Sequence, residues 1–425
     1  MLGPLNVNLE DFDVSVKNGF LPSQPPLQQL ADPYYESWEY IVGNLPDLIR
    51  TQTIRAAVDE LPLLSTSKLQ SEREWQRAYL LLSLLAHAYI WGGKTPSERL
   101  PAAVSVPFLI VADRFDLPTT ATYAGLNLWN WKTTSPTGSL DLDHLETLHT
   151  FTGTQDESWF FLVSVAMEAK GGEVIPVMLK AMDAVRTDSP QVVAESLHKF
   201  AEVIGEISVL LERMYEKCAP QVFYHQIRPF LAGSKNMAVA GLPNGVFYEE
   251  GDGKGEWRQY SGGSNAQSSL IQLFDIILGV EHSPTRNTKV ADVGPKAKHG
   301  FLTEMRRYMP GGHNKFLAHM ESIVNIRPYV LNHPAPEVTE AYNHAVNELS
   351  AFRDVHIQIV TRYVLNPARE KKQPEEMTTS AGAGLNLAVA SSNSDGKKGL
   401  QGTGGTELLP FLKQGRDETR ATVLE

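Results

Sequence analysis

The sequence predicts an all-α protein, on three observations. Apolar side chains recur at helical spacing through most of the 425 residues, few runs alternate in the manner of half-buried strands, and Pro- and Gly-containing breaks punctuate the helical stretches. A hydrophobic share of 42% over this length is enough for a large buried core and more than one structural lobe. Up to about Asp116 the apolar helical stretches are Trp38–Leu45, Glu74–Trp91 and Ala102–Ala112, with a break at Gly92-Gly93-Lys94-Thr95-Pro96. Residues 1–116 are therefore expected to form a smaller N-terminal helical lobe. From Leu117-Pro118 onward the helices lengthen, over Thr119–Trp131, Trp159–Ala169, Val174–Arg186, Val192–Cys218, Gln267–Gly279 and Thr339–Leu365, so residues 117–425 are expected to form the larger lobe. The Gly- and acid-rich stretch Tyr248–Trp257 reads as an exposed turn or short hairpin. Residues 366–405 are too polar and too rich in Gly and Ser to bury a core, and are expected to be a mobile loop, either a linker or a lid. A final helix is expected to start at Glu407–Leu412.

Charge and composition narrow the function. The formal net charge is -11 and no Lys/Arg-rich run stands out, which excludes the electrostatic footprint of a nucleic-acid or anionic-membrane binder. The partner expected is a small molecule. With a single cysteine, Cys218, there is no intrachain disulfide and no thiolate zinc pattern. The N-terminal residues lack a basic segment and a long apolar core, and the longest apolar stretch, Tyr79 to Ile90, is too short to span a bilayer. A cytoplasmic monomer is the expectation.

The stretch Thr339–Leu365 carries the most informative pattern. Thr339 is a good N-cap after Pro334-Ala335-Pro336-Glu337-Val338, and Pro367 sets the other end. Its apolar face reads Tyr342, Ala345, Leu349, Phe352, His356, Ile359, Tyr363, in steps of three and four, which puts His356 inside a buried stripe. A neutral imidazole in apolar surroundings suits axial ligation of haem iron. A lone histidine on an apolar helix face is more often a hydrogen-bonded core residue, and periodicity leaves both readings open. Arg353, one turn earlier on the same side, could pair with a carboxylate. None of the twelve histidines forms a His-x-x-x-His or His-Glu-x-x-His pair, and there is no Walker loop, no Gly-x-Gly-x-x-Gly after a strand and no Gly-x-Ser-x-Gly elbow. Nucleotide-dependent and serine-hydrolase chemistry are thereby excluded.

The run Phe352-Arg353-Asp354-Val355-His356-Ile357-Gln358-Ile359-Val360-Thr361-Arg362-Tyr363 resembles the proximal-helix signature of the indoleamine 2,3-dioxygenases. Four further blocks are similar to that family in the same order: Phe160–Ser164; Gly262-Gly263-Ser264 with Gln267–Ser269 and Phe274-Asp275; Met305–Pro310; and Gly402–Thr406. The resemblance runs from about Leu117 to Leu412 and is weaker in the N-terminal part. It implies an enzyme that opens the indole C2–C3 bond of L-tryptophan with O₂ to give N-formylkynurenine. It also implies haem b, ferrous when active, and an electron donor to reduce the ferric form. By the same resemblance His356 is the proximal iron ligand, Arg353 with Asp275 serves a haem propionate, and Ser164 lies over the distal face. Tyr123, Phe160 and Phe223 wall the indole pocket, Arg228 grips the substrate carboxylate, Gly263 and Ser264 approach the substrate closely, and Thr403 brings the loop over it. Tyr224 stands where the mammalian enzymes have a second Phe, Asn265 where a small residue is usual, and the stretch 366–405 is longer than theirs. Two other classes compete: a haem protein that binds or senses oxygen without turning over tryptophan, and a helical scaffold with no cofactor. A carboxylate grip at Arg228 and a closing loop at Gly402–Thr406 would separate the first from an enzyme.

Overall fold

The structure is a computed structural model, and it describes residues 5, 7–283, 300–333, 335–370 and 408–425. Helices dominate, as the periodicity requires. The longer ones are α1 (Glu36–Gly43), α2 (Glu72–Trp91), α3 (Ala102–Arg114), α4 (Gln155–Gly171), α5 (Val174–Arg186), α6 (Pro190–Glu212), α7 (Ser269–Leu278), α8 (Gly311–Ile323), α9 (Pro336–Val360) and α10 (Leu408–Arg420). Helix α6 is the central strut: α4, α5 and α9 all pack against it, and α10 lies along α9. None of the helices among the described residues is long and apolar enough to cross a membrane.

Local chemistry explains where the helices start and stop. Ser71 and Glu74 form a reciprocal capping box at the head of α2, with the Ser71 N–H donating to Glu74 Oε2 at 2.7 Å. Helix α7 is capped by Ser268, whose hydroxyl accepts from the Ile271 N–H at 3.4 Å, and it ends at Gly279 with a left-handed φ of 66°. Helix α9 begins at Pro336, not at Thr339. Proline at the first helical position lacks only an N–H that would have been orphaned anyway, so it extends the helix by nearly a turn.

Two expected helices are broken by side chains that capture backbone carbonyls. The stretch 119–131 is a loop followed by a single five-residue π-turn, Ala124–Leu128, because Tyr79 donates to the carbonyls of Pro118 and Thr120 and Tyr248 donates to that of Thr119. Those carbonyls are then unavailable to a helical ladder. The expected helix 192–218 stops at Glu212, and the indole N–H of Trp159 takes the carbonyl of Arg213 at 2.6 Å before a short Met214–Lys217 turn follows.

Five short strands complete the described chain. Strands β4 (Val246–Gly251) and β5 (Lys254–Arg258) form the hairpin expected near Tyr248–Trp257, with Asp252 and Gly253 both at positive φ in the turn. Strand β1 (Arg99–Leu100) pairs in parallel with β4, joining the first hundred residues to the later part of the chain. Strands β2 (Trp131–Thr133) and β3 (Leu145–Thr147) pair antiparallel.

Helix α10 is docked by polar contacts. Its only buried residue is Thr419. Asp354 of α9 receives Arg416 at 3.0 Å and Arg420 at 2.5 Å, and the Arg420 Nε donates to Ser350 at 3.0 Å. At the other edge His282 donates through Nε2 to Asp275 at 3.0 Å and through Nδ1 to Glu418 at 2.8 Å. Burial pulls the His282 imidazolium down, but the two carboxylates outweigh it and hold its pKa above the ordinary value.

A raised folded-state pKa means that the stabilisation is complete below the ordinary histidine range and is lost as pH rises through the folded value. Thermal stability should therefore decline as pH rises above the ordinary histidine range, and His282→Gln should flatten that decline, as read by unfolding temperature against pH. Asp354→Asn should cost about 1 kcal/mol or less per exposed pair and speed amide exchange in residues 408–420 first, as read by hydrogen-exchange mass spectrometry.

Candidate active site

One cavity gathers the residues singled out in the sequence. Tyr123 and Asn127 reach it from the first π-turn, Phe160 and Ser164 from α4, and Phe223 and Arg228 from a second π-turn, Phe223–Ile227, and its continuation. Gly263 and Ser264 line it from the segment before α7, Arg353 and His356 from α9, and Tyr363 from a third π-turn, Thr361–Leu365. Helix α10 supplies another wall through Leu408, Phe411, Leu412 and Glu418. Asp275 is not a lining residue and stands behind Arg353. Thr403 and the Gly402–Thr406 segment lie outside the described residues, as does most of the stretch 366–405.

Prolines account for two of the three π-turns. Pro229 and Pro367 each lie two residues past the end of one, where the ring has no N–H to donate and crowds the carbonyl four residues back, at His225 and Tyr363 respectively. The ladder widens by one residue and the turn swings side chains into the cavity.

His356 behaves unlike a core histidine. Among the described residues no hydrogen bond involves its ring, and its surface faces the cavity. Burial, with the Arg353 charge added, pushes its pKa down to about 4, so the imidazole is neutral and both lone-pair chemistry and orientation are free for a ligand. His87 on α2 shows the alternative. It is wholly buried, its Nδ1 donates to the Phe230 carbonyl at 2.7 Å, and its Nε2 accepts from the Ala121 N–H at 2.9 Å. A neutral, unbonded imidazole beside a largely apolar cavity suits a haem iron, and no group of three or more metal-ligating side chains occurs among the described residues to suggest a bare metal ion instead.

Arg353 is anchored where the cavity meets α7. Its Nη2 donates to both oxygens of Asp275, at 2.6 and 2.8 Å, and its Nη1 reaches the Gly415 carbonyl at 3.1 Å and the Thr419 hydroxyl. Burial alone would push the Asp275 carboxyl up; Arg353 and His282 together hold it below the usual range.

On another side the aromatic wall is continuous. Phe160 and Phe223 pack with centroids 4.9 Å apart and Phe223 meets Tyr363 edge-on at 5.8 Å. Arg228 is 5% exposed and sits 5.7 Å from the centre of the Tyr224 ring. Tyr224 itself is buried beneath that guanidinium and does not line the cavity, whereas Asn265 does. Gly262 and Gly263 allow the backbone to come this close: a methyl group on Gly262 would overlap the Leu231 carbonyl oxygen, and one on Gly263 would lie 2.8 Å from Leu126 Cδ1.

Three acid or base side chains of the site escaped the sequence reading: Glu168, His282 and Glu418, all cavity-lining. Glu168 had a signal, being a lone carboxylate four residues after Ser164 in an otherwise apolar run. His282 and Glu418 had none, since they are 136 residues apart and meet only in the folded chain.

Comparison with known proteins matches this chain to one family. The family model described as Indoleamine 2,3-dioxygenase matches residues 8–422. An indoleamine 2,3-dioxygenase of Aspergillus nanangensis is 42% identical over 100% of this chain and 99% of its own length. The indoleamine 2,3-dioxygenase of Saccharomyces cerevisiae is 43% identical over 99% of this chain and 94% of its own. A 6-hydroxytryptophan 2,3-dioxygenase of Fusarium equiseti is 40% identical over 97% of each. Matched from end to end and at this level of identity, the chain belongs to the indoleamine 2,3-dioxygenase family.

Proposed function

We propose that this protein is a haem-dependent dioxygenase that opens the indole C2–C3 bond of L-tryptophan with O₂, giving N-formylkynurenine. The observation that carries the reading is the meeting in one cavity of a neutral imidazole without a protein partner, His356, and a buried guanidinium, Arg228.

His356 would hold the iron of haem b, and Arg353, backed by Asp275, would pair with a haem carboxylate. When bound, the haem would supply the oxygen-activating chemistry. The protein's own work is placement. Arg228 offers a fork that pairs with a carboxylate through two parallel hydrogen bonds, and its burial strengthens that pairing. Burial also lowers the pKa of this guanidinium, and a substrate carboxylate brought beside it would favour its charged form. Phe160, Phe223 and Tyr123 present ring faces and edges to an indole, and Gly263 and Ser264 let backbone approach it. Ser164 lies on the cavity side of α4, where its hydroxyl can orient a polar atom. Neither a nucleophile nor an acid–base dyad is required. Water is kept out by the apolar walls, including Leu408, Phe411 and Leu412 of α10.

An oxygen carrier or sensor would need the imidazole but has no use for a buried arginine in the same cavity, and Arg228 favours the enzyme.

Reduction under anaerobic conditions, followed by L-tryptophan and O₂, should yield the absorbance of N-formylkynurenine; a purified chain without a Soret band would refute the haem assignment. His356→Ala should lose the Soret band or most of the bound haem, and full haem retention with unchanged turnover would move the ligand elsewhere. Arg228→Ala should raise KM for L-tryptophan by about 10- to 100-fold, the value of one charge-assisted bidentate pairing, with a smaller effect on a substrate that lacks the carboxylate.

A further inference from the structure

The cavity contains a buried carboxyl group that the reading above does not use. Glu168 lies one turn beyond Ser164 on α4 and is 1% exposed. Its Oε1 accepts the Tyr123 hydroxyl at 2.9 Å and the Ser268 hydroxyl at 2.6 Å. Its Oε2 is equally buried and has no hydrogen-bond partner among the described residues. Two donors on one oxygen and none on the other suit a neutral acid with its proton on Oε2, because the anion would leave that oxygen desolvated and unpaired.

Both donors belong to the pocket wall. Ser268 also caps α7, and the Tyr123 N–H, at the head of the first π-turn, donates to Gln267 Oε1 at 2.9 Å. One carboxyl therefore joins α4, the first π-turn and the start of α7. Tyr123 is the titratable group in contact with it, and Ser164 lies within hydrogen-bonding reach of the same phenol. The charged or titratable groups elsewhere around the cavity are Arg228, Arg353, His356, Tyr363, His282 and Glu418.

We propose that Glu168 is a positioning residue whose change between acid and carboxylate sets how firmly Tyr123 and Ser268 hold the substrate wall, making substrate affinity depend on pH through this one group. The proposal rests on the dioxygenase reading for the identity of the substrate. Burial pushes the carboxyl up to about 7, against the opposing pull of Ser268 and Tyr123, which puts the change at neutrality. Hydrogen bonds to the carboxylate are stronger than those to the acid, so the wall is held more firmly above that pH.

The test uses the haem-loaded full chain and two readouts. Infrared difference spectra against pH should show a carboxylic C=O band that disappears near pH 7 in the wild type and is absent in Glu168→Gln. L-Tryptophan affinity, read from the Soret shift, should tighten about threefold or more between about pH 6 and pH 8 in the wild type, and Glu168→Gln should stay flat at the acid-side value. Tyr123→Phe removes one donor to the carboxylate and should move both transitions to higher pH by about one unit, which a merely structural contact would not do. An infrared band unchanged by Glu168→Gln, or an affinity profile in that variant that superimposes on the wild type, would overturn the proposal. If L-tryptophan gives no Soret shift at any pH, the substrate assignment fails, while the infrared titration still decides the state of Glu168.

Discussion

Arg353 is bound by both oxygens of Asp275, at 2.6 and 2.8 Å, and this pair governs how α9 presents the residue one turn later, His356. Two buried charges are tolerated because each is satisfied on several sides: Asp275 also receives His282, and Arg353 also reaches α10. Removing one partner from such a pair would leave an uncompensated charge, so the geometry of α7, α9 and α10 is locked together beside the cavity. The same guanidinium adds to the burial that keeps His356 neutral. A structural ion pair and a chemical property of the site thus share one side chain.

Two histidines of long helices, His87 and His356, make an instructive contrast. His87 and His356 both lie in apolar stripes, and burial lowers the pKa of each to about 4. His87 uses both ring nitrogens to tie the 118–121 loop and the Phe230 carbonyl to α2. His356 faces the cavity, and an imidazole with no hydrogen-bond partner among the described residues stabilises nothing by itself. Such an arrangement makes physical sense when something else occupies the space.

The three π-turns, 124–128, 223–227 and 361–365, all border the cavity. A π-turn inserts one residue into a helical ladder at some cost in hydrogen-bond geometry, and here the return is a reorientation of Tyr123, Arg228 and Tyr363 relative to a regular helix. The buried charges of the site have opposite sign, with Arg228 a desolvated cation and Glu168 a carboxyl shifted towards its neutral form. Both line the cavity and give it a polar character that a purely packed core would not have.

Much of this was legible in the chain itself. Helical periodicity and turn residues determined the all-α class, the helices 72–91, 155–171 and 174–186, the 246–258 hairpin, and the place of His356 on a buried face, because these depend on neighbours within a few residues. Pro229 and Pro367 were visible too, although a proline in a sequence marks a break without saying that the break is a π-turn. Only the tertiary structure decided that 119–122 is a loop, since the donors that take its carbonyls, Tyr79 and Tyr248, come from 39 residues earlier and 129 later. It alone decided that His356 has no hydrogen-bond partner among the described residues while His87 has three, and that Tyr123 and Ser268 both donate to one oxygen of Glu168. Hydrogen bonding and desolvation are set by what the fold brings alongside a residue, and a pattern of spacings carries no record of that.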